Sequence, residues 1–337
     1  MIAFFNRVSQ NIYTVTFVIG LVVLCVIIYW SGMAYRDFSN SVFSISKYSF
    51  FNVVLSTCLF TWVSAVKWRI VLEYLSPSII AQKGYYFFYS VLGTFFNMYI
   101  PYIGNVALKT KSLKKNFGTP NSVSVLSIYY EQLFDLLVLV VLIPPSLLLF
   151  FNITSPSFSV VLSLIMFLVL IYFVSINRKL FYSIAYFLID KIIKFLIMIP
   201  FFNKKTRSTD ILREHKSLAT HVSVQLIVLS VFKYALVALR NYIILFSING
   251  DVSYVYVFFG ISIIQSIVLI SFMPGNAGIS DAGWLVFLLF IGFSKTECGI
   301  FMLLEKLIST TSYIILIALS FLYYYVTPKI YKKFCRM

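Results

Sequence analysis

Phe272-Met273-Pro274-Gly275-Asn276-Ala277-Gly278-Ile279-Ser280-Asp281-Ala282-Gly283 places two helix breakers, an amide and a carboxylate where an apolar run would otherwise continue. Bilayer hydrocarbon holds no water to satisfy freed N–H and C=O groups, so broken backbone at that depth persists only when buried in protein or lining a polar cavity. We therefore read the stretch as the expected substrate site, marked by Pro274, Asn276, Gly278 and Asp281. The alternative reading is a plain interfacial turn in which Asn276 and Asp281 act as caps. An echo stands in the first half, where Phe96-Asn97-Met98-Tyr99-Ile100-Pro101-Tyr102-Ile103-Gly104-Asn105 also ends an apolar run with Pro, then Gly and Asn. Interruptions paired across two halves point to a transporter-like site between inverted repeats. The two turns are expected to face one another across a central cavity.

The surrounding composition fixes the solvent. With 337 residues, 61% hydrophobic, 19% aromatic and 11% charged, the chain carries more apolar surface than a soluble core can hide. The expected fold is an all-α polytopic membrane protein with about 6–8 transmembrane helices, some broken or re-entrant, arranged as an inverted repeat in the plasma membrane. A net charge of +16, from 27 Lys+Arg against 11 Asp+Glu, would suit nucleic acid. The basic residues, however, sit in short loops between apolar runs, as the positive-inside rule expects, so membrane lipids with anionic headgroups are the expected partner. Assembly with further copies of the chain is compatible with this reading. Cys25 and Cys58 lie inside apolar runs while Cys298 and Cys335 stand apart, which offers neither a CxxC motif nor a disulfide framework. His215 and His221 have no neighbouring Cys or clustered carboxylate, so no metal site is expected. With no Walker motif, Rossmann glycine motif, HExxH or nucleophile elbow, no cofactor and no ATP-driven chemistry are expected.

Taken in order, Ile12–Trp30 and Tyr48–Val66 are each long enough to span a hydrocarbon layer of roughly 30 Å, which takes about 20 residues. The first is too long for the h-region of a signal peptide and is kept as a membrane helix. Trp68–Leu75 is expected to ride along the interface. Gly84–Ile100 has cations on both flanks, Lys67, Arg69 and Lys83 before it and Lys109, Lys111, Lys114 and Lys115 after it, which predicts a re-entrant segment. Ser122–Leu149 and Phe158–Val174 are full helices joined by an uncharged outside turn. Residues 177–218 form a basic cytoplasmic linker, with an interfacial helix over Leu180–Pro200, between a first half (1–176) and a second half (219–337). His221–Phe246, Val252–Met273, Trp284–Phe293 and Ile300–Tyr325 complete the apolar runs. Both termini are expected in the cytoplasm. The second half allows either three crossings or a re-entrant pair plus one.

Several charges fall inside these runs. Glu131 and Asp135 are spaced i, i+4 and Lys233 and Arg240 i, i+7, so each pair lies on one face of its helix. An intramembrane charge costs a few kcal/mol and normally faces a partner or a water-filled cavity. Two readings follow: the acidic and basic pairs neutralise one another, or the basic pair holds an anionic headgroup. Glu305 and Lys306 begin a helix near the interface and read as a local ion pair or snorkelling residues. The lysines at 109, 111, 114 and 115 read first as a topology signal, with phosphate binding as the sharper alternative.

At these residues the chain resembles the transmembrane region of lysylphosphatidylglycerol synthase, a flippase-like family of integral membrane proteins. Trp68-Arg69-Ile70-Val71-Leu72 is similar to the family's early W-R-x-x-L. Gly104–Lys115 followed by Tyr130-Glu131-Gln132-Leu133-Phe134-Asp135-Leu136-Leu137 is similar to its basic loop and E-(R/K)-x-x-D-L helix, and Pro274–Asp281 to its late P-G-G-x-G-x-x-E turn. Gln132, Asn276 and Ser280-Asp281 depart from the pattern, which bears on the substrate more than on the fold. The last apolar run is followed by a basic tail, and a lysine-transferring activity is not expected. What the resemblance implies is a lipid flippase, not an enzyme. On this reading Lys109, Glu131, Asp135, Lys233, Arg240, Pro274, Asn276, Gly278 and Asp281 would contact an anionic or zwitterionic lipid, a phospholipid or a polyprenyl-phosphate-linked sugar. The competing readings are a membrane-embedded transferase with a carboxylate base and an accessory membrane subunit.

Overall fold

The computed structural model describes residues 22, 24–77, 81–99, 103–183, 217–248, 250–271 and 279–326. Among them every regular element is a helix, as a lipid solvent demands of a chain that must satisfy its own backbone groups. In chain order these are α1 (Tyr35–Ser44), α2 (Lys47–Leu75), α3 (Lys83–Tyr99), α4 (Ile103–Phe117), α5 (Asn121–Phe150) and α6 (Pro156–Ile176). They continue with α7 (Thr220–Ile248), α8 (Tyr254–Ser271), α9 (Ile279–Phe290) and α10 (Lys295–Phe321), the last running on into a π-helical turn, Leu322–Val326. Five of them, α2, α5, α6, α7 and α10, are long and apolar enough to cross a membrane, and shorter apolar helices lie within α8 and α9. The chain is a multi-pass membrane protein.

Polar residues place the helix starts. Ser46 Oγ accepts from the Ser49 N–H at 2.9 Å to open α2. Ser155 does the same for α6, where Pro156 occupies the first turn. Ser294 and Glu297 form a reciprocal capping box at the start of α10, satisfying two donors that would otherwise be orphaned.

The apolar runs read from sequence after Ile12–Trp30, most of which lies outside the described residues, coincide with these helices, with two corrections. Trp68–Leu75 is not interfacial: α2 continues through it as one 29-residue helix, and Trp68, Val71 and Leu72 are fully buried. The cations Lys67 and Arg69 do not end the helix, because an apolar and aromatic stripe continues past them and packs against Tyr85, Tyr86 and Leu113. The stretch Gly104–Lys115 is likewise no loop but most of helix α4. Ile100–Tyr102 and Met273–Gly278, the two breaks, and most of the 177–218 linker lie outside the described residues.

Because lipid tails are as apolar as leucine, helix association here depends on close packing and polar contacts more than on hydrophobic burial. The centre of the bundle is the long contact of α2 with α7, around which α5 and α10 pack on both. This contact is antiparallel. Arg240 lies over the Phe60 ring at 5.6 Å, while seven residues away along each helix Lys67 and Lys233 share one carboxylate, Asp135. Helices α3 and α4 pack as a pair, and so do α8 and α9. A glycine sits at each crossing: a Cβ on Gly93 would lie 2.4 Å from Asn105 Oδ1, and one on Gly260 would lie 2.5 Å from the Phe287 ring. Helix α6 touches mainly α5 and presents Leu164, Leu168 and Tyr172 outward, as a lipid-facing helix does.

Candidate functional site

Four helices bring five charged side chains to one buried point. From α5 come Glu131 and Asp135, one turn apart on the same face. From α2 comes Lys67, whose ammonium donates to the Glu131 carbonyl oxygen at 3.1 Å and forms an ion pair with Asp135 Oδ1. From α7 comes Lys233, 2.7 Å from Asp135 Oδ2, and from α4 Lys109, 2.8 Å from Glu131 Oε2. The Lys109 ammonium also stands 4.5 Å above the Trp68 ring, a cation–π contact strengthened by the dry surroundings. Trp68 is in turn held by its N–H donating to Ser127 Oγ at 3.2 Å.

The side chains of Lys67 and Lys109 are 0% and 2% exposed, those of Glu131 and Asp135 6% and 9%, and that of Lys233 21%. Lys233 is thus the most exposed member of the cluster. Among the described residues it holds three ammonium groups against two carboxylates. Burying a charge away from water is unfavourable unless it is paired and hydrogen-bonded. Each carboxylate meets that demand, Asp135 twice over, whereas the cations outnumber their counter-charges.

A second cluster lies farther along α7. Seven residues at 1.5 Å each separate Lys233 from Arg240 by about 10 Å along the helix. Arg240 Nη2 meets Glu305 Oε1 of α10 at 2.8 Å, and Ser309 Oγ donates to the same oxygen at 3.0 Å. The Arg240 Nε–H is buried with no acceptor among the described residues. Beside this pair Lys306 reaches Asp281, in the first turn of α9, at 3.1 Å.

Of the residues expected at the site, Lys109, Glu131, Asp135 and Lys233 therefore meet in the first cluster and Arg240 and Asp281 in the second. Pro274, Asn276 and Gly278 lie outside the described residues. The basic pair of α7 does not face one acidic pair: Lys233 meets Asp135, but Arg240 meets Glu305, because the helix carries it beyond the reach of α5. Glu305 and Lys306 accordingly do not form a local pair with each other. Each answers a charge on another helix. Lys67, which the sequence offers only as a flanking cation, is the central cation of the first cluster. The apolar continuation Trp68–Leu75 is the sequence feature that points to its burial between helices. A separate open pocket of about 620 Å³ lies among Asn152, Asp251, Tyr256 and Gly292 and shares no residue with either cluster.

Fold and site together define a polytopic helical membrane protein with charged networks buried between its helices. The sequence matches the family model described as the lysylphosphatidylglycerol synthase TM region over residues 17–318, and the chain belongs to that family. Comparison with curated proteins and with solved structures gave no significant match.

Proposed function

We propose that this protein is a lipid flippase of the plasma membrane, holding the phosphate of an anionic headgroup at Lys67, Lys109 and Lys233. The observation that carries the reading is the unbalanced charge of the first cluster: three buried or half-buried ammonium groups for two carboxylates. A phosphodiester supplies the missing negative charge and three-dimensional acceptor capacity, and charge-assisted hydrogen bonds to it are among the strong ones. Lys233, the most exposed of the three, is the group that meets the incoming head first. The substrate class is a phospholipid or a polyprenyl-phosphate-linked sugar. The ion pairs of Glu131 and Asp135 favour this reading over a transferase, since a carboxylate already bound to lysine is a poor general base.

The test is native mass spectrometry of the purified protein titrated with phosphatidylglycerol and, in parallel, phosphatidylcholine. Selective retention of phosphatidylglycerol, lost in a folded Lys233→Gln variant, is the expected result, together with leaflet exchange of a fluorescent phosphatidylglycerol in reconstituted vesicles. Equal retention of both lipids by the two proteins would refute the assignment.

A further inference from the structure

Three turns meet at the C-terminal end of α7, about 43 Å along that helix from Thr220. The turn after α7, together with those between α5 and α6 and between α9 and α10, lines the open pocket of about 620 Å³. Small-molecule sites have volumes of roughly 300–1,000 Å³. Because α7 follows the basic linker expected in the cytoplasm, this end of the bundle is the one expected outside.

The walls are built by the chain itself. Asn152 (φ 55°) and Gly292 (φ 95°) stand in the left-handed region just past the ends of α5 and α9. The next N–H groups, of Ile153 and Phe293, donate back to the Leu148 and Leu288 carbonyl oxygens at 2.9 and 3.0 Å, which closes each helix end. Behind the lining residues Tyr256 and Phe290 stands Phe150, whose ring centroid lies 6.4 Å from that of Tyr256 and 5.6 Å from that of Phe290. Phe287 adds a further edge contact to Phe150 at 5.4 Å. The pocket thus has an aromatic wall held by ring-on-ring packing.

Charge selects the ligand. Among the described residues that line the pocket Asp251 is the one charged side chain, in a chain whose net charge is +16. The cation next to the lining in sequence, Lys295, lies 4.2 Å above the Trp30 ring, and Glu297 is engaged in the cap of α10. Helices α5 and α9 end at the pocket and bring the partial negative charge of two C-termini, while α8 begins there and offsets one of them. A carboxylate beside the negative faces of Tyr256, Phe290 and Phe293 suits a cation with apolar substituents. A bare calcium ion would take about six to eight oxygen ligands, and the described residues hold no group of three side chains able to share a metal.

We propose that this pocket binds a small organic ammonium ion from the external solution, with its charge on Asp251 and its methyl or methylene groups on the rings of Tyr256, Phe290 and Phe293. The site differs from the phosphate site proposed above in both sign and place: it shares no residue with the two charged clusters.

The experiment is saturation-transfer NMR of choline with the full chain in maltoside micelles, with the uncharged tert-butyl isostere of choline as the comparison. The wild type should give saturable transfer to choline and little to the isostere. Asp251→Asn should weaken choline binding about tenfold, the size of a partly screened charge contact, and Asp251→Glu should keep most of the affinity. Tyr256→Leu should weaken it about threefold, as loss of one exposed cation–π contact does. Thermal unfolding checks that each variant is folded; should Asp251→Asn not be, Tyr256→Leu and the isostere carry the test. No transfer to choline, equal transfer to the isostere, or unaltered affinity in the folded variants would overturn the site, as would binding of phosphatidylcholine with none of free choline. Each of these outcomes leaves the phosphate site standing, since retention of phosphatidylglycerol tests that separately.

Discussion

Removing one carboxylate from the first cluster should be far more damaging than removing one lysine, and the structure supplies the reason. Asp135 holds two ammonium groups, Lys67 at full burial and Lys233 at 21% exposure. Asp135→Asn leaves three cations facing Glu131 alone. Stranding one member of a buried pair costs about 3–5 kcal/mol. We count Lys67 fully and Lys233 little, since it is partly exposed, and expect about 4 kcal/mol, roughly a thousandfold in the folding equilibrium. Lys233→Gln, by contrast, leaves two lysines for two carboxylates, with Asp135 still paired to Lys67, and should cost no more than about 1 kcal/mol. The assay is sodium dodecyl sulfate titration in mixed micelles followed by tryptophan fluorescence, for which Trp68, against Lys109, is a reporter inside the cluster. Similar losses in the two variants, or a larger loss for Lys233→Gln, would show that the cations are not in excess and remove the basis for a bound anion.

Three further outcomes are expected. Arg240→Gln should be rescued by Glu305→Gln and not by Glu131→Gln or Asp135→Asn, with a coupling of about 1–3 kcal/mol in a double-mutant cycle; rescue through α5 instead would contradict the pairing described here. Gly260→Ala should destabilise by about 1–3 kcal/mol in the same titration, because the added methyl would meet the buried Phe287 ring at 2.5 Å and overpacking outweighs the better helix propensity of alanine. In a background free of Cys25, Cys58, Cys298 and Cys335, a cysteine at Ser155 should react with an impermeant maleimide from outside intact cells and one at Lys179 should not; the reverse pattern would invert the topology.

By itself the sequence determined the solvent and the elements. Apolar runs interrupted by basic loops can only fold as membrane-spanning helices, because a backbone in hydrocarbon must bond to itself, and the runs Ser122–Leu149, Phe158–Val174 and His221–Phe246 fell within a few residues of α5, α6 and α7. The polar stripe Glu131–Asp135 and the cations Lys109, Lys233 and Arg240 were also legible, since a charge inside such a run is expensive and therefore conspicuous. Which charge meets which was decided only by the tertiary structure. Lys67 looked like a loop cation because a lysine at the end of an apolar run usually is one, and only the packing of Trp68 and Leu72 against α3 and α4 draws it inward. Glu305 looked interfacial for the same reason, until α7 brought Arg240 to it across 65 residues of chain. Helical periodicity fixes the face a residue shares with its neighbours along the chain. The partner opposite that face depends on how helices distant in sequence cross, and here that crossing joined Lys233 to Asp135 but Arg240 to Glu305.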